Sequence, residues 1–214
     1  MIYSLPSCKF TENHPQTSER LSAWLSSRGV NVLGCCKASL GRFAAGDTVL
    51  FACLSCMLIT EENSPSANVR SVWEYLLEQP DFPWPELNGE RIAVQDCLRA
   101  RDRPRLRAAV RECLHRSGAE VVELPARGET SCFDGTFLMN PISPVTMNAA
   151  PKAFTGLSRF VEVLPPDEQT ARMKAYAASL PDVRVAAYCN GCEAGLKKGG
   201  ANVVHLLELL CSRL

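Results

Sequence analysis

The sequence predicts an α/β fold, and three observations carry that prediction. Short apolar runs alternate with helix-patterned segments, the order expected of parallel strands joined by crossover helices. Cysteines recur at the ends of those runs, among them Cys35-Cys36, Cys53 and Cys189. The order of elements then restarts after Gly89, the mark of an internal duplication. Together these describe two tandem repeats of a small parallel-sheet, Rossmann-like, cysteine-rich domain related by pseudo-twofold symmetry. The first repeat spans residues 1–82 and the second, degenerate one 88–214.

Met1 to Leu5 reads as a strand that delivers Cys8 at its carboxyl end. Ser18 to Gly29 reads as a helix, with Leu21, Trp24 and Leu25 spaced for one face and Gly29 closing it. Val30 to Leu33 is a β-branched and apolar strand ending at Gly34, which frees the backbone just before Cys35 and Cys36. Asp47 to Ala52 is the next strand and runs straight into Cys53, with Cys56 three residues on. Asn68 to Glu78 carries Val69, Val72, Trp73, Leu76 and Leu77, a pattern that predicts an amphipathic helix over the sheet. Gln79 to Gly89 holds Pro80, Pro83 and Pro85, which exclude helix and central strand and so predict a linker.

In the second half Arg91 to Gln95 is a strand meeting Cys97, and Pro104 to Gly118 is a helix with proline in its first turn and glycine at its end. Ala119 to Leu124 is the next strand and leads to Cys132. Phe133 to Pro166 carries Pro141, Pro144, Pro151, Pro165 and Pro166 with Gly135 and Gly156, which predicts a long loop, either a binding lid or a structural excursion. Pro165 to Leu180 is a helix, and Val183 to Tyr188 is a strand delivering Cys189 and Cys192. Asn202 to Leu210 closes the repeat as a helix that aligns with Asn68 to Glu78. Cys113 and Cys211 fall within helices away from strand ends and read as packing residues.

Composition narrows the function. The chain is 46% hydrophobic and 21% charged, an ordinary globular balance. Its 23 basic and 23 acidic residues leave no net field for nucleic acid or an acidic membrane. No signal peptide and no apolar run near the roughly 20 residues needed to span a bilayer is visible, which predicts a cytoplasmic protein. Eleven cysteines in that compartment point to metal or redox chemistry rather than to a disulfide framework.

Nine of the eleven fall into two sets: Cys8, Cys35, Cys36, Cys53 and Cys56, then Cys97, Cys132, Cys189 and Cys192. Parallel sheets place ligands outside the carboxyl ends of their strands, where both sets fall. Thiolates gathered there repel one another unless a cation or cluster neutralises them. Four tetrahedral ligands satisfy a structural zinc, so a fifth thiol in the first set favours a larger inorganic core.

These motifs resemble the cysteine-rich CCG domain family, whose best-known member is the catalytic B subunit of heterodisulfide reductase. The likeness rests on Cys8, Cys35-Cys36 and Cys53-Leu-Ser-Cys56 in the first half, and on Cys97, Cys132 and Cys189-Asn-Gly-Cys192 followed by Val203-Val-His-Leu-Leu-Glu-Leu-Leu in the second. It implies that the first five cysteines hold a non-cubane [4Fe-4S] cluster. It further implies an iron-sulfur oxidoreductase subunit of the heterodisulfide reductase B type, which reduces a disulfide or passes electrons. Lys37 stands where the family has the glycine of Cys-Cys-Gly, and the second half reads Cys132-Phe133-Asp134-Gly135, with Phe133 in the place of a thiol. Four cysteines there suit zinc or a second iron-sulfur cluster, with Asp134 a substitute oxygen ligand.

No Gly-x-Gly-x-x-Gly motif for flavin or nicotinamide is present, so the electrons must come from a separate iron-sulfur or flavin subunit. The alternative is a zinc-stabilised scaffold or an electron-carrier subunit without catalysis of its own. No catalytic residue is assigned. His205, on the closing helix, reads as a packing histidine or as a proton donor.

Overall fold

The computed structural model describes residues 1–214. Strands β1 (Ile2–Leu5), β2 (Asn31–Val32), β3 (Thr48–Phe51) and β4 (Asn68–Ser71) form one sheet in the order β2-β1-β3-β4. Strands β5 (Arg91–Gln95), β6 (Glu120–Glu123), β7 (Arg184–Ala187) and β8 (Val203–His205) form a second in the order β6-β5-β7-β8. Every pairing is parallel. The two sheets therefore match strand for strand, as the duplicated α/β reading expects.

The chain divides into two compact units. The first comprises Met1–Pro83, Ile142–Arg159 and Cys211–Leu214, and the second Trp84–Pro141 and Phe160–Leu210. In the first, α1 (Cys8–Asn13), α2 (Pro15–Ser26), α3 (Leu54–Asn63) and α4 (Val72–Leu77) accompany the sheet. Its central strand β3 is apolar on both faces, Val49 and Leu50 being fully buried with Leu5, Trp73 and Leu76. In the second unit α5 (Pro104–Arg116) follows β5, and its core gathers Ile92, Val94, Val110, Leu114 and Leu206.

The closing segment of each half departs from the expected single helix. Asn68–Ser71 is a strand paired with β3, and only then does helix α4 begin. Ser71 caps it: its hydroxyl accepts from the Glu74 N–H, and the Glu74 carboxylate accepts from the Ser71 N–H in return. In the second half β8 precedes α10 (Leu206–Leu210), and Nδ1 of the buried His205 accepts from the Leu207 N–H at 3.3 Å. His205 thus stands where Ser71 stands. The short valine-containing stretches suit a pleated strand as well as a helix face, and the strand edge beside them decides the outcome.

Phe133–Pro166 also departs from expectation, for it is not an open loop. Helices α6 (Pro144–Ala149) and α7 (Pro151–Ser158) lie within it, and both begin at a proline. At the first helical position proline forfeits an N–H that has no partner anyway, so these prolines start helices instead of breaking them. Within the first unit Glu62 accepts from the Lys152 and Ala153 N–H groups at 2.9 Å each, fixing the α7 N-terminus, and Asn63 donates to the Ala149 carbonyl at 2.7 Å. The remaining helices are α8 (Pro166–Ala178) and α9 (Asn190–Gly199). Cys113 is buried on α5, while Cys211 is buried on a 3₁₀ turn rather than an α-helix.

Candidate metal centres

In the first unit three parallel strand ends deliver the thiols. After β1 the backbone turns sharply at Ser7, whose φ of 75° is rare for a residue with a side chain, and Cys8 opens α1. After β2, Cys35 is extended and Cys36 begins a 3₁₀ turn, so the adjacent side chains are not held to the opposite faces of a strand. After β3, Cys53 is the N-cap of α3 and Cys56 lies on its first turn, where unpaired backbone N–H groups favour anionic sulfur.

The thiols interact with one another. Burial, then a hydrogen bond with Cys35, pushes the Cys8 thiol up to about 11. A hydrogen bond from Cys56 draws the Cys36 thiol below its ordinary value, helped by the Lys37 charge. Hydrogen bonds with Cys36 and Cys53 hold Cys56 well above it, so Cys36 is the first of the pair to lose its proton. The set opens to solvent on one side: Cys8 is exposed, Cys35 and Cys53 are half-buried, and Cys36 and Cys56 are buried.

The second unit repeats the framework with a different result. Cys97 follows β5, Cys189 is the N-cap of α9, and Cys192 lies on the first turn of that helix. With Asp134 they form a buried group whose four ligand atoms lie within 4.8 Å of one another, so the group is placed to hold a metal ion. Cys132 is exposed and outside this group, and Asp134 stands in it instead. Phe133 is buried and stacks on Tyr176 at 4.3 Å between ring centroids. A single ion with metal–sulfur bonds of about 2.3 Å spaces its tetrahedral ligands about 3.8 Å apart, which this group accommodates.

Glycine explains how Asp134 comes so close. Gly135 has φ 57°, and a Cβ on it would meet the Gly191 carbonyl oxygen at 1.8 Å. Only glycine lets the backbone after Asp134 lie against the Cys189–Cys192 turn. Arg99, which follows Cys97 by two residues, donates from Nη2 to Asp134 Oδ1 at 2.6 Å and to Cys189 Sγ at 3.2 Å. Hydrogen bonds from Cys192 and Cys97, with the Arg99 charge, hold the Cys189 thiol well below its ordinary value. Burial raises Cys97 and Cys192, and it lifts the Asp134 carboxyl to about 7 despite Arg99.

A second layer fixes Cys97. The Asp96 carboxylate accepts from Arg111 at 2.8 and 3.0 Å, from the Gly128 N–H at 2.8 Å and from the Tyr188 hydroxyl at 2.9 Å. The Tyr188 oxygen in turn accepts from the Cys97 N–H at 3.4 Å. Sequence reading passed over Asp96, Arg99, Arg111 and Tyr188. The available signal was the pair of charged residues flanking Cys97 at the end of an apolar strand, since charge there needs buried partners.

No protein-family model, curated protein or solved structure matches the chain. No helix is long and apolar enough to cross a membrane.

Proposed function

We propose that the chain is an iron-sulfur oxidoreductase subunit of the heterodisulfide reductase B type, with Cys8, Cys35, Cys36, Cys53 and Cys56 holding a non-cubane [4Fe-4S] cluster. The observation that carries this reading is that all five cysteines follow the ends of three parallel strands, on an edge that stays open at Cys8. A bound cluster supplies one-electron redox chemistry beside an accessible face. The chain's own residues set its surroundings. Cys53 and Cys56 lie at the α3 N-terminus, whose dipole favours negative charge, and Lys37, held by its 2.9 Å bond to Thr146, adds positive charge beside Cys36.

Reducing a disulfide consumes two electrons and two protons and yields two thiols, so a separate iron-sulfur or flavin subunit in the cytoplasm must deliver the electrons one by one. The cysteines of the second unit then hold zinc or a second cluster. Anaerobic purification with iron, sulfide and EPR analysis tests the assignment. Cys36→Ser is expected to lose most of the iron; unchanged iron content removes Cys36 from the ligand set.

A second reading is a zinc-stabilised scaffold or an electron-carrier subunit without catalysis, favoured by the fully buried group at Cys97, Asp134, Cys189 and Cys192. Zinc as the sole metal supports the scaffold, and iron with sulfide but no disulfide reductase activity supports the carrier.

A further inference from the structure

The second thiol set differs from the first in having a carboxylate at its centre. Asp134 Oδ1 stands 3.3 Å from Cys97 Sγ and 3.5 Å from Cys189 Sγ. A tetrahedral ion bound by sulfur at about 2.3 Å and by oxygen at about 2.0 to 2.2 Å places its sulfur and oxygen ligands about 3.5 Å apart. Both thiols donate to that oxygen, and these hydrogen bonds hold the carboxylate at the spacing a ligand would take. Its two oxygens are used unequally: Oδ1 accepts from Arg99 at 2.6 Å, whereas Oδ2 is buried and accepts from nothing. Leaving such an oxygen bare costs about 1 to 3 kcal/mol, more when it is charged. A ligating carboxylate that is also hydrogen-bonded within the protein is the ordinary arrangement at a metal.

Charge points the same way. A carboxylate and three thiols share a pocket in which Asp134, Cys97 and Cys192 are all almost wholly buried, and Arg99 supplies a single positive charge. A divalent ion offsets most of the negative charge that Arg99 leaves over. The four donors lie within 4.8 Å of one another, a spacing that suits one ion, and Phe133, which stands in sequence where a fifth thiol would, is stacked on Tyr176.

We propose that the second unit holds one tetrahedral zinc ion on Cys97, Cys189, Cys192 and Asp134, with Arg99 as the buried cation that orients the carboxylate and with Cys132 taking no part. This deepens the reading of the second unit and is independent of any cluster in the first. The donor set is closed, so the ion fixes the ends of β5 and β7 and the start of α9 and performs no chemistry of its own.

The test uses the full chain, purified under reducing, anaerobic conditions with zinc and crystallised for diffraction on both sides of the zinc absorption edge. An anomalous peak within about 2.4 Å of the three sulfurs and one Asp134 oxygen is expected. A peak bonded to Cys132, or no peak among the four residues, overturns the assignment. In solution, competition with a chromophoric chelator measures zinc affinity. Arg99→Gln is expected to weaken it roughly 10- to 100-fold and Asp134→Asn at least as much, while Cys132→Ser leaves it unchanged. Unaltered affinity in a folded Asp134→Asn, checked by circular dichroism, overturns the role of the carboxylate. Should that variant not fold, the native anomalous map and Cys132→Ser still decide. Loss of iron in Cys36→Ser with the zinc peak intact separates the two units, since failure of the cluster reading leaves this peak where it is.

Discussion

The two units share strand order, parallel pairing and a Cys-x-x-Cys whose first cysteine caps a helix, yet they finish their thiol sets differently. In the first, five sulfurs grade from exposed Cys8 to buried Cys56. In the second, three buried sulfurs close around a carboxylate and a guanidinium. The lesson is that the shared framework fixes where thiols arrive, while a few residues beyond the strand ends decide whether the site stays open. Lys37 in one unit and Arg99 in the other both bring positive charge to sulfur, but only Arg99, paired with Asp134, is sealed from water.

The contrast is broken most severely at Gly135. Gly135→Ala adds a Cβ onto the Gly191 carbonyl at positive φ, and the second unit should lose roughly 3 to 5 kcal/mol of stability. Denaturant unfolding followed separately in each unit checks this; a uniform small loss contradicts the close-approach explanation.

Next in size is the core of the central strand. Leu50 on β3 pairs in register with Ser4, as Ala186 on β7 pairs with Val94, so the two occupy equivalent places with different volumes. Leu50→Ala should cost about 2 to 5 kcal/mol and Ala186→Leu about 1 to 3 kcal/mol from overpacking. Equal, negligible effects on thermal unfolding would show that neither position is packed as tightly as its burial indicates.

Cys211 gives a pH test in the first unit. Burial pushes its thiol up to about 12, from 9.0 for the free group. Because the folded value is the higher one, its contribution is complete below pH 9 and fades as pH rises from there toward 12. By pH 10 the loss is about 1.4 kcal/mol, and Cys211→Val should remove that part of the alkaline slope of stability. A variant with the native slope rules the residue out.

The smallest effect compares the two caps. Ser71→Ala removes a reciprocal capping box and should cost about 1 kcal/mol, whereas His205→Ala also leaves a cavity in a fully buried place and should cost more. The order of the two midpoints in urea decides.

Much of this fold was legible because it follows from local pattern. Arg91–Gln95 is a strand residue for residue as its apolar run implies, and Cys53 and Cys189 sit at the strand ends to which their runs pointed. What escaped depends on partners distant in sequence. Asn68–Ser71 becomes a strand because β3 offers a free edge. Pro144 and Pro151 read as breakers until Glu62 is seen to receive the start of α7. The substitution of Asp134 for Cys132 was half visible, since the oxygen donor was in view, but the glycine contact that turns it inward is 56 residues away along the chain, between Gly135 and Gly191.

The composition of the first unit also bears on how the chain must be made. Glu62 and Asn63 find their partners about 90 positions later, and Cys211–Leu214 belongs to the same body as Met1. During synthesis its five thiols emerge long before the segments that complete their unit, and the second unit lies wholly within that interval. Severing the chain once, anywhere, cannot yield both units whole and apart.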